Sequence, residues 1–316
     1  MSVLLALLEI VLPVFMVVAA GYGMVRMRWY PEAGIDPLIK FATGFAVPVL
    51  LFRAMYGIDL GKTLRWDHQV SFYAAAFVCF VVGITLARMI WKRRPGESVA
   101  VGFCALFSNS VLFGLPIMER AYGRLDEIYA LITFHTPFCY FAGFLAMEFS
   151  RRDGMPIPVA IKNALREILR NSLTIGLLLG LAANLIGLSI PAPVSAAIDM
   201  IAGAALPVAL FAVGGVLTRY SLKSNLGEAG MVAVLSVIVH PALAWFLSYH
   251  AFGLAPNFVQ SAVIMAAMPT GINGYIFAAM YHRAERTAAS SVLIATALSL
   301  LTIPVWLAVL GGASLD

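Results

Sequence analysis

Two of the long apolar stretches in this chain are broken near their centres by residues that a lipid-spanning helix ordinarily avoids. The first break reads Ser108-Asn109-Ser110-Val111-Leu112-Phe113-Gly114-Leu115-Pro116, and the second reads Pro269-Thr270-Gly271-Ile272-Asn273-Gly274. Each falls in a hydrophobic stretch of roughly 23 residues, and the stretches occupy corresponding places in the two halves of the chain. In hydrocarbon an unpaired backbone N–H or C=O costs several kcal/mol, so a broken helix persists only where it lines a cavity or binds something. A matched pair of such breaks is the best sequence-level pointer to the substrate site of a secondary transporter.

Composition supports the membrane reading. Of 316 residues, 61% are hydrophobic and only 12% charged, where a soluble domain carries about a quarter charged residues. The net charge of +5 needs no nucleic-acid partner, because basic cytoplasmic loops account for it. Cys79, Cys104 and Cys139 stand singly in apolar runs, with no CxxC and no His/Cys ligand spacing. They read as buried thiols, and no cofactor or metal site is expected. The segment Ser2 to Val25 has neither a basic n-region nor a small-residue cleavage site, so it reads as a first span.

With about 20 apolar residues per crossing, the expected spans run over about 4–25, 35–56, 69–91, 97–119, 127–149, 170–188, 197–218, 229–251, 259–281 and 288–311. If the N-terminus faces out, inside loops hold 15 Lys and Arg and outside loops hold 5, with Lys40 uncounted. That bias puts both termini on the extracytoplasmic side of a cell (inner) membrane. The chain then divides into a first five-helix repeat, 1–150, a basic cytoplasmic linker, 151–169, and an inverted second repeat, 170–316. The repeat is legible in the letters. Gly44-Phe45-Ala46-Val47-Pro48-Val49-Leu50-Leu51-Phe52 and Gly203-Ala204-Ala205-Leu206-Pro207-Val208-Ala209-Leu210-Phe211 share six of nine residues at an offset of 159. The same offset sets Gly114 opposite Asn273, so the two breaks coincide within a few residues.

The chain resembles the auxin efflux carrier family, which includes the plant PIN proteins and bacterial transporters of malonate or similar acids. The resemblance rests on Gly21-Tyr22-Gly23, Phe45-Ala46-Val47-Pro48, Ser108-Asn109-Ser110 with Gly114-Leu115-Pro116, Ala121-Tyr122-Gly123, Pro269-Thr270-Gly271-Ile272, Phe277-Ala278 and Tyr281. It implies an all-α membrane fold of ten helices in two inverted repeats, similar to sodium/proton antiporters and bile-acid symporters. Spans 1, 2, 6 and 7 would form a scaffold that dimerises. Spans 3–5 and 8–10 would form a transport domain in which helices 4 and 9 cross as broken helices. The chain departs from plant members in having Ser108 where Pro is common, Gly274 where a second Pro is common, and Ser236 where some members carry a basic residue.

Half-helices meeting near the midplane would point their N-termini inward, each worth about half a positive charge. Free backbone N–H groups there can hold a carboxylate without a buried Lys or Arg. Asn109 and Asn273 can donate and accept, and Ser110 and Thr270 supply hydroxyls. With Gly271, these five are the candidate substrate-binding residues. Gly114, Pro116, Pro269 and Gly274 are the expected helix-break positions. Pro13, Pro48, Pro137, Pro207, Pro241 and Pro304 read mostly as ordinary kinks. His135 and His240 either exchange a proton or serve as neutral residues bonded to a facing helix. Arg53 either snorkels outward or attracts anions.

The expected function is transport of a small organic carboxylate, malonate- or auxin-like, by elevator-type alternating access, with no enzymatic activity. The alternatives are a sodium- or proton-coupled carrier of the same fold for another solute, or a membrane sensor or channel. An antiporter would call for paired mid-span carboxylates, and a lipid-modifying enzyme for HExxH or a nucleophile–base pair. Neither pattern occurs in the chain.

Overall fold

The computed structural model describes residues 3–123, 125–150, 162, 165, 166, 168–220 and 225–311. Most of the expected linker 151–169, and the basic residues Arg124, Arg151, Arg152 and Lys223, lie outside the described residues. The described residues form helices and no β-strand, apart from one isolated bridge. In chain order the helices are α1 (Val3–Arg26), α2 (Glu32–Gly57), α3 (Trp66–Met89), α4 (Pro95–Leu106), α5 (Leu115–Tyr122) and α6 (Asp126–Ser150), followed by α7 (Ser172–Leu185), α8 (Ala192–Leu217), α9 (Leu226–Ala251), α10 (Pro256–Ala266), α11 (Ile272–Met280) and α12 (Glu285–Val309). Seven of these are long and apolar enough to cross a membrane: α1, α2, α3, α6, α8, α9 and α12. The chain is a helical integral membrane protein, because only helices satisfy their own backbone groups in lipid.

Local chemistry sets the helix ends. α4 and α10 both begin on proline, Pro95 and Pro256, whose fixed φ and missing N–H cost nothing in a first turn. Asn171 caps α7 by accepting from the amides of Leu173 and Thr174. α5 stops at Gly123, which takes φ 64°, the left-handed conformation that a glycine adopts without strain.

Proline also explains three of the places where the helices widen, though not the π segment Phe246–Ala251. The π turns Ala42–Ala46, Ser110–Gly114 and Leu235–Val239 each end two residues before a proline: Pro48, Pro116 and Pro241. A proline ring clashes with the carbonyl four residues back and offers no N–H to it, and a wider turn relieves both problems. Pro13, Pro137, Pro207 and Pro304 remain inside continuous α-helices. The two copies of the repeated motif therefore differ: Pro48 follows a widened turn and Pro207 does not.

The helices pack in two groups. In the first, α1 lies along α8 and α2 along α7, with α2 also against α8. Glycines permit these approaches. A Cβ on Gly21 would sit 2.0 Å from the carbonyl oxygen of Phe211, and one on Gly180 would sit 2.3 Å from that of Phe52. In the second group α3 packs on α4, α4 on α6 and α11, and α9 on α12. A buried ion pair ties its loops together. Arg93 donates to both carboxylate oxygens of the fully buried Glu228 at 2.7–3.2 Å, and Thr287 donates to the same group at 2.9 Å. These hydrogen bonds hold the Arg93 pKa above its ordinary value, so the guanidinium stays charged. Arg53 meets the side chain of Asp199 at 2.6 Å, so it is ion-paired between α2 and α8.

Gly21→Ala is expected to destabilise the protein by about 1–3 kcal/mol, the usual cost of forcing atoms into a packed contact. Gly203→Ala, where a Cβ meets nothing within 4 Å, should leave stability unchanged. Thermal unfolding of the purified variants in detergent, read by size-exclusion survival, separates the two outcomes.

Candidate functional site

The two sequence breaks meet. α4 ends at Leu106 and α10 at Ala266, and the extended residues that follow pair antiparallel, with Ser108 opposite Thr270. The Asn109 amide donates to the Pro269 carbonyl at 2.8 Å, and the Gly271 amide donates to the Phe107 carbonyl at 2.9 Å. Each break thus fills part of the other's hydrogen-bonding deficit. Side chains from neighbouring helices serve other carbonyls. His135 Nε2 lies 3.0 Å from the Ser108 oxygen, and Ser236 Oγ donates to Met268 at 3.4 Å. The Ser108 and Ser110 hydroxyls bond each other at 2.6 Å.

Beyond the pairing the chain re-enters helix twice, through the π turn Ser110–Gly114 into α5 and directly into α11 at Ile272. Both starts face one cavity of about 170 Å³. Its walls come from the first turns after the breaks (Asn109, Ser110, Val111, Leu112, Ile272, Asn273 and Ile276), from α6 (His135 and Thr136), from the start of α7 (Asn171, Ser172 and Leu173) and from α2 and α8. First-turn amides of a helix mostly lack an intrahelical acceptor; that of Gly274 donates to the Gly271 carbonyl at 2.9 Å, and the others at both starts, with the positive dipole ends, lie at the wall of the same space. Asn109 spends no side-chain bond on capping. The Asn273 Oδ1 accepts from the Tyr140 hydroxyl at 3.3 Å, which leaves the Asn273 NH₂ to donate elsewhere. Among the described lining residues there is no Asp, Glu, Lys or Arg. The arrangement can therefore receive an anion by amide donors and helix dipoles alone.

Of the candidate residues, Asn109, Ser110, Asn273 and His135 line the cavity. Thr270 and Gly271 lie in the backbone pairing beside it and are not part of its wall. The Thr270 hydroxyl is fully buried with no hydrogen-bond partner. Pro269 contributes its carbonyl to the pairing. Gly114 and Gly274 are packing positions, where a Cβ would come within 2.6 Å of Met265 Sδ and 3.1 Å of Cys104 Sγ. Pro116 follows the π turn. His240 is buried with Nε2 3.4 Å from the Phe72 carbonyl, away from the cavity wall. Thr43, Thr136, Tyr140, Asn171 and Ser172 line or border the site without any sequence signal. Each is a common polar residue near the end or inside of an apolar span, and only the packing of α2, α6 and α7 against the crossing selects them. Among the described residues no group of His, Cys, Asp and Glu is arranged to hold a metal.

The profile of a family described as "Membrane transport protein" matches residues 6–307. A Rhizobium meliloti protein named "Putative malonate transporter" is 25% identical over 296 residues, which cover 93% of this chain and 92% of that protein. An uncharacterized transporter of Methanothermobacter thermautotrophicus is 26% identical over 312 residues, 96% of this chain and 98% of its own length. Auxin efflux carrier component 3a of Oryza sativa is 31% identical over 123 residues, 37% of this chain and 20% of the rice protein.

Removing the His135 imidazole leaves the buried Ser108 carbonyl without that partner. His135→Leu should therefore cost about 1–3 kcal/mol of stability, while His135→Gln, which keeps a donor, should cost less. Thermal unfolding measured in parallel decides whether the histidine supports the crossing.

Proposed function

The chain belongs to the membrane transport protein family, the auxin efflux carrier family whose motifs it carries, and from that premise we propose that it is a secondary carrier of a small organic carboxylate, with malonate the first candidate. The observation that carries this reading is the convergence of two helix starts and two asparagine amides on one cavity with no carboxylate among its described lining residues. Two dipole ends, each equivalent to about half a positive charge, suit one carboxylate group. The cavity of about 170 Å³ is close to the ~150 Å³ void that admits benzene. An acid with a handful of heavy atoms fits that space better than an aromatic acid, and the name of the Rhizobium relative points the same way.

We read the seven long helices, α7 and the broken pairs α4–α5 and α10–α11 as ten crossings in two inverted repeats. Two relations support this. The 159-residue shift seen in the sequence carries α6, residues 126–150, onto α12, residues 285–309. It also carries the Gly21–Phe211 contact onto the Gly180–Phe52 contact. On this reading α1, α2, α7 and α8 are the scaffold, and the remaining helices move against it as an elevator that carries the crossing. The loop charges orient the end of α2 near Asn171 toward the cytoplasm. A sodium/proton antiporter is disfavoured because its chemistry calls for paired carboxylates at the crossing. Coupling to protons through His135 and uniport driven by membrane potential both fit the wall. At 100 mV the potential supplies about 2.3 kcal/mol per charge, enough for a roughly 50-fold gradient of a monoanion.

Purified protein in liposomes should take up labelled malonate, or another small mono- or dicarboxylate, with saturation. Asn109→Ala and Asn273→Ala should each weaken apparent affinity about tenfold, or ~1.4 kcal/mol, the scale of a lost charge-assisted hydrogen bond. Absence of saturable flux across a panel of such acids, or unchanged flux in Asn109→Ala, would rule the reading out.

A further inference from the structure

A second cavity, of about 150 Å³, adjoins the crossing cavity. Its wall includes Thr136, Tyr140, Phe144, Arg170, Asn171 and Met280, and Thr136 and Asn171 line both spaces. The two cavities therefore share a wall built from α6 and the cap of α7. Among the described residues lining either one, Arg170 alone carries a fixed charge. It is exposed, and it forms no ion pair with a described carboxylate. Tyr140 also borders this space, and its hydroxyl reaches Asn273 at 3.3 Å.

We propose that this vestibule is a second anion site, in which Arg170 captures a carboxylate before it passes Asn171 and Thr136 to the crossing. Guanidinium pairs with carboxylate through two parallel hydrogen bonds. At an exposed position such a pair is weak, so the anion is released as readily as it is caught. The crossing supplies binding from neutral amides, and the vestibule supplies the charge that draws an anion toward them.

The proposal rests on the carrier reading, and binding kinetics separate the two. Malonate association with the detergent-purified protein would be followed by stopped-flow tryptophan fluorescence at low and high salt. Arg170→Gln should slow association about fivefold at low salt and flatten its salt dependence, as expected for loss of a steering charge. Arg170→Lys should restore most of both, whereas Asn109→Ala should act through faster dissociation. Wild-type association rate and salt slope in Arg170→Gln would overturn the vestibule site. Failure of the wild-type protein to bind malonate or any small carboxylate would instead overturn the carrier reading.

A separate observation concerns the other end of α1. Pro13 has no N–H, so the Glu9 carbonyl four residues back lacks its helical donor. Arg120, at the end of α5, fills the gap: Nη2 donates to the Glu9 oxygen at 3.0 Å and Nε donates to that of Ile10 at 2.9 Å. Nearby, the rings of Phe15 and Phe113 pack at 5.4 Å. We infer that Arg120 latches the broken helix to α1 and favours the conformation described here, in which the crossing cavity adjoins the Arg170 vestibule. In an alternating carrier such a contact belongs to one state, so its loss shifts the population toward the other.

Thr43→Cys reports on that cavity, whose wall includes Thr43, while Cys79, Cys104 and Cys139 are buried. Adding Arg120→Gln should slow modification by a charged thiol reagent about threefold, as the cavity-open population falls. Pro13→Ala, which returns a helical donor to Glu9 and leaves Arg120 in place, should act in the same direction. Unchanged rates in both double variants would overturn the latch.

Discussion

Two backbone hydrogen bonds hold the centre of this protein together: Asn109 to Pro269 and Gly271 to Phe107. A helix cannot stop inside a membrane unless something else satisfies its freed amides and carbonyls. Here two interrupted helices stop at the same place and partly satisfy each other. What the pairing does not use is as informative as what it does. Most first-turn amides beyond each break have no helical acceptor, and the first-turn residues line a shared cavity. The same constraint that forces the breaks together therefore leaves a cavity lined by Asn109, Ser110 and Asn273 beside them.

The rest of the fold braces that junction from several helices. Around the crossing, His135 and Ser236 bond the carbonyls that the pairing leaves, and the Arg93–Glu228–Thr287 cluster fixes the loops of the second packing group. In front of it, α1, α2, α7 and α8 pack backbone to backbone through Gly21, Gly176, Gly180 and Gly214. Such contacts resist deformation because no side chain intervenes to yield. The cavity lies where the two packing groups face each other, so its wall is drawn from both.

Much of the fold was legible in the letters because lipid enforces simple rules. Helix ends fall within a few residues of the apolar limits: α6 runs over Asp126–Ser150 against an expected 127–149, and α2 over Glu32–Gly57 against 35–56. The breaks were legible for the same reason, since Asn combined with Pro and Gly at mid-span is not the pattern of an ordinary proline kink. Widened turns were not. Pro48 and Pro207 occupy the same place in one repeated motif, yet only Pro48 follows a π turn, and that turn supplies Ala42 and Thr43 to the cavity wall. Which proline widens its helix depends on what packs against it, and a local motif does not encode that.

Sequence alone determined the class of the protein, the position of its two breaks and the asparagines within them, because each follows from the energetics of backbone and side chain in a bilayer. Tertiary structure decided which of the flagged residues share a cavity. It brought Asn109, Ser110, Asn273 and His135 to one wall and left Thr270 buried beside the pairing and His240 against Phe72. It also recruited Tyr140, Thr136 and Asn171, which carry no signal of their own. The physical reason is that a side chain's environment in a packed membrane protein is set by helices distant in sequence, and no local pattern records which helix will face it.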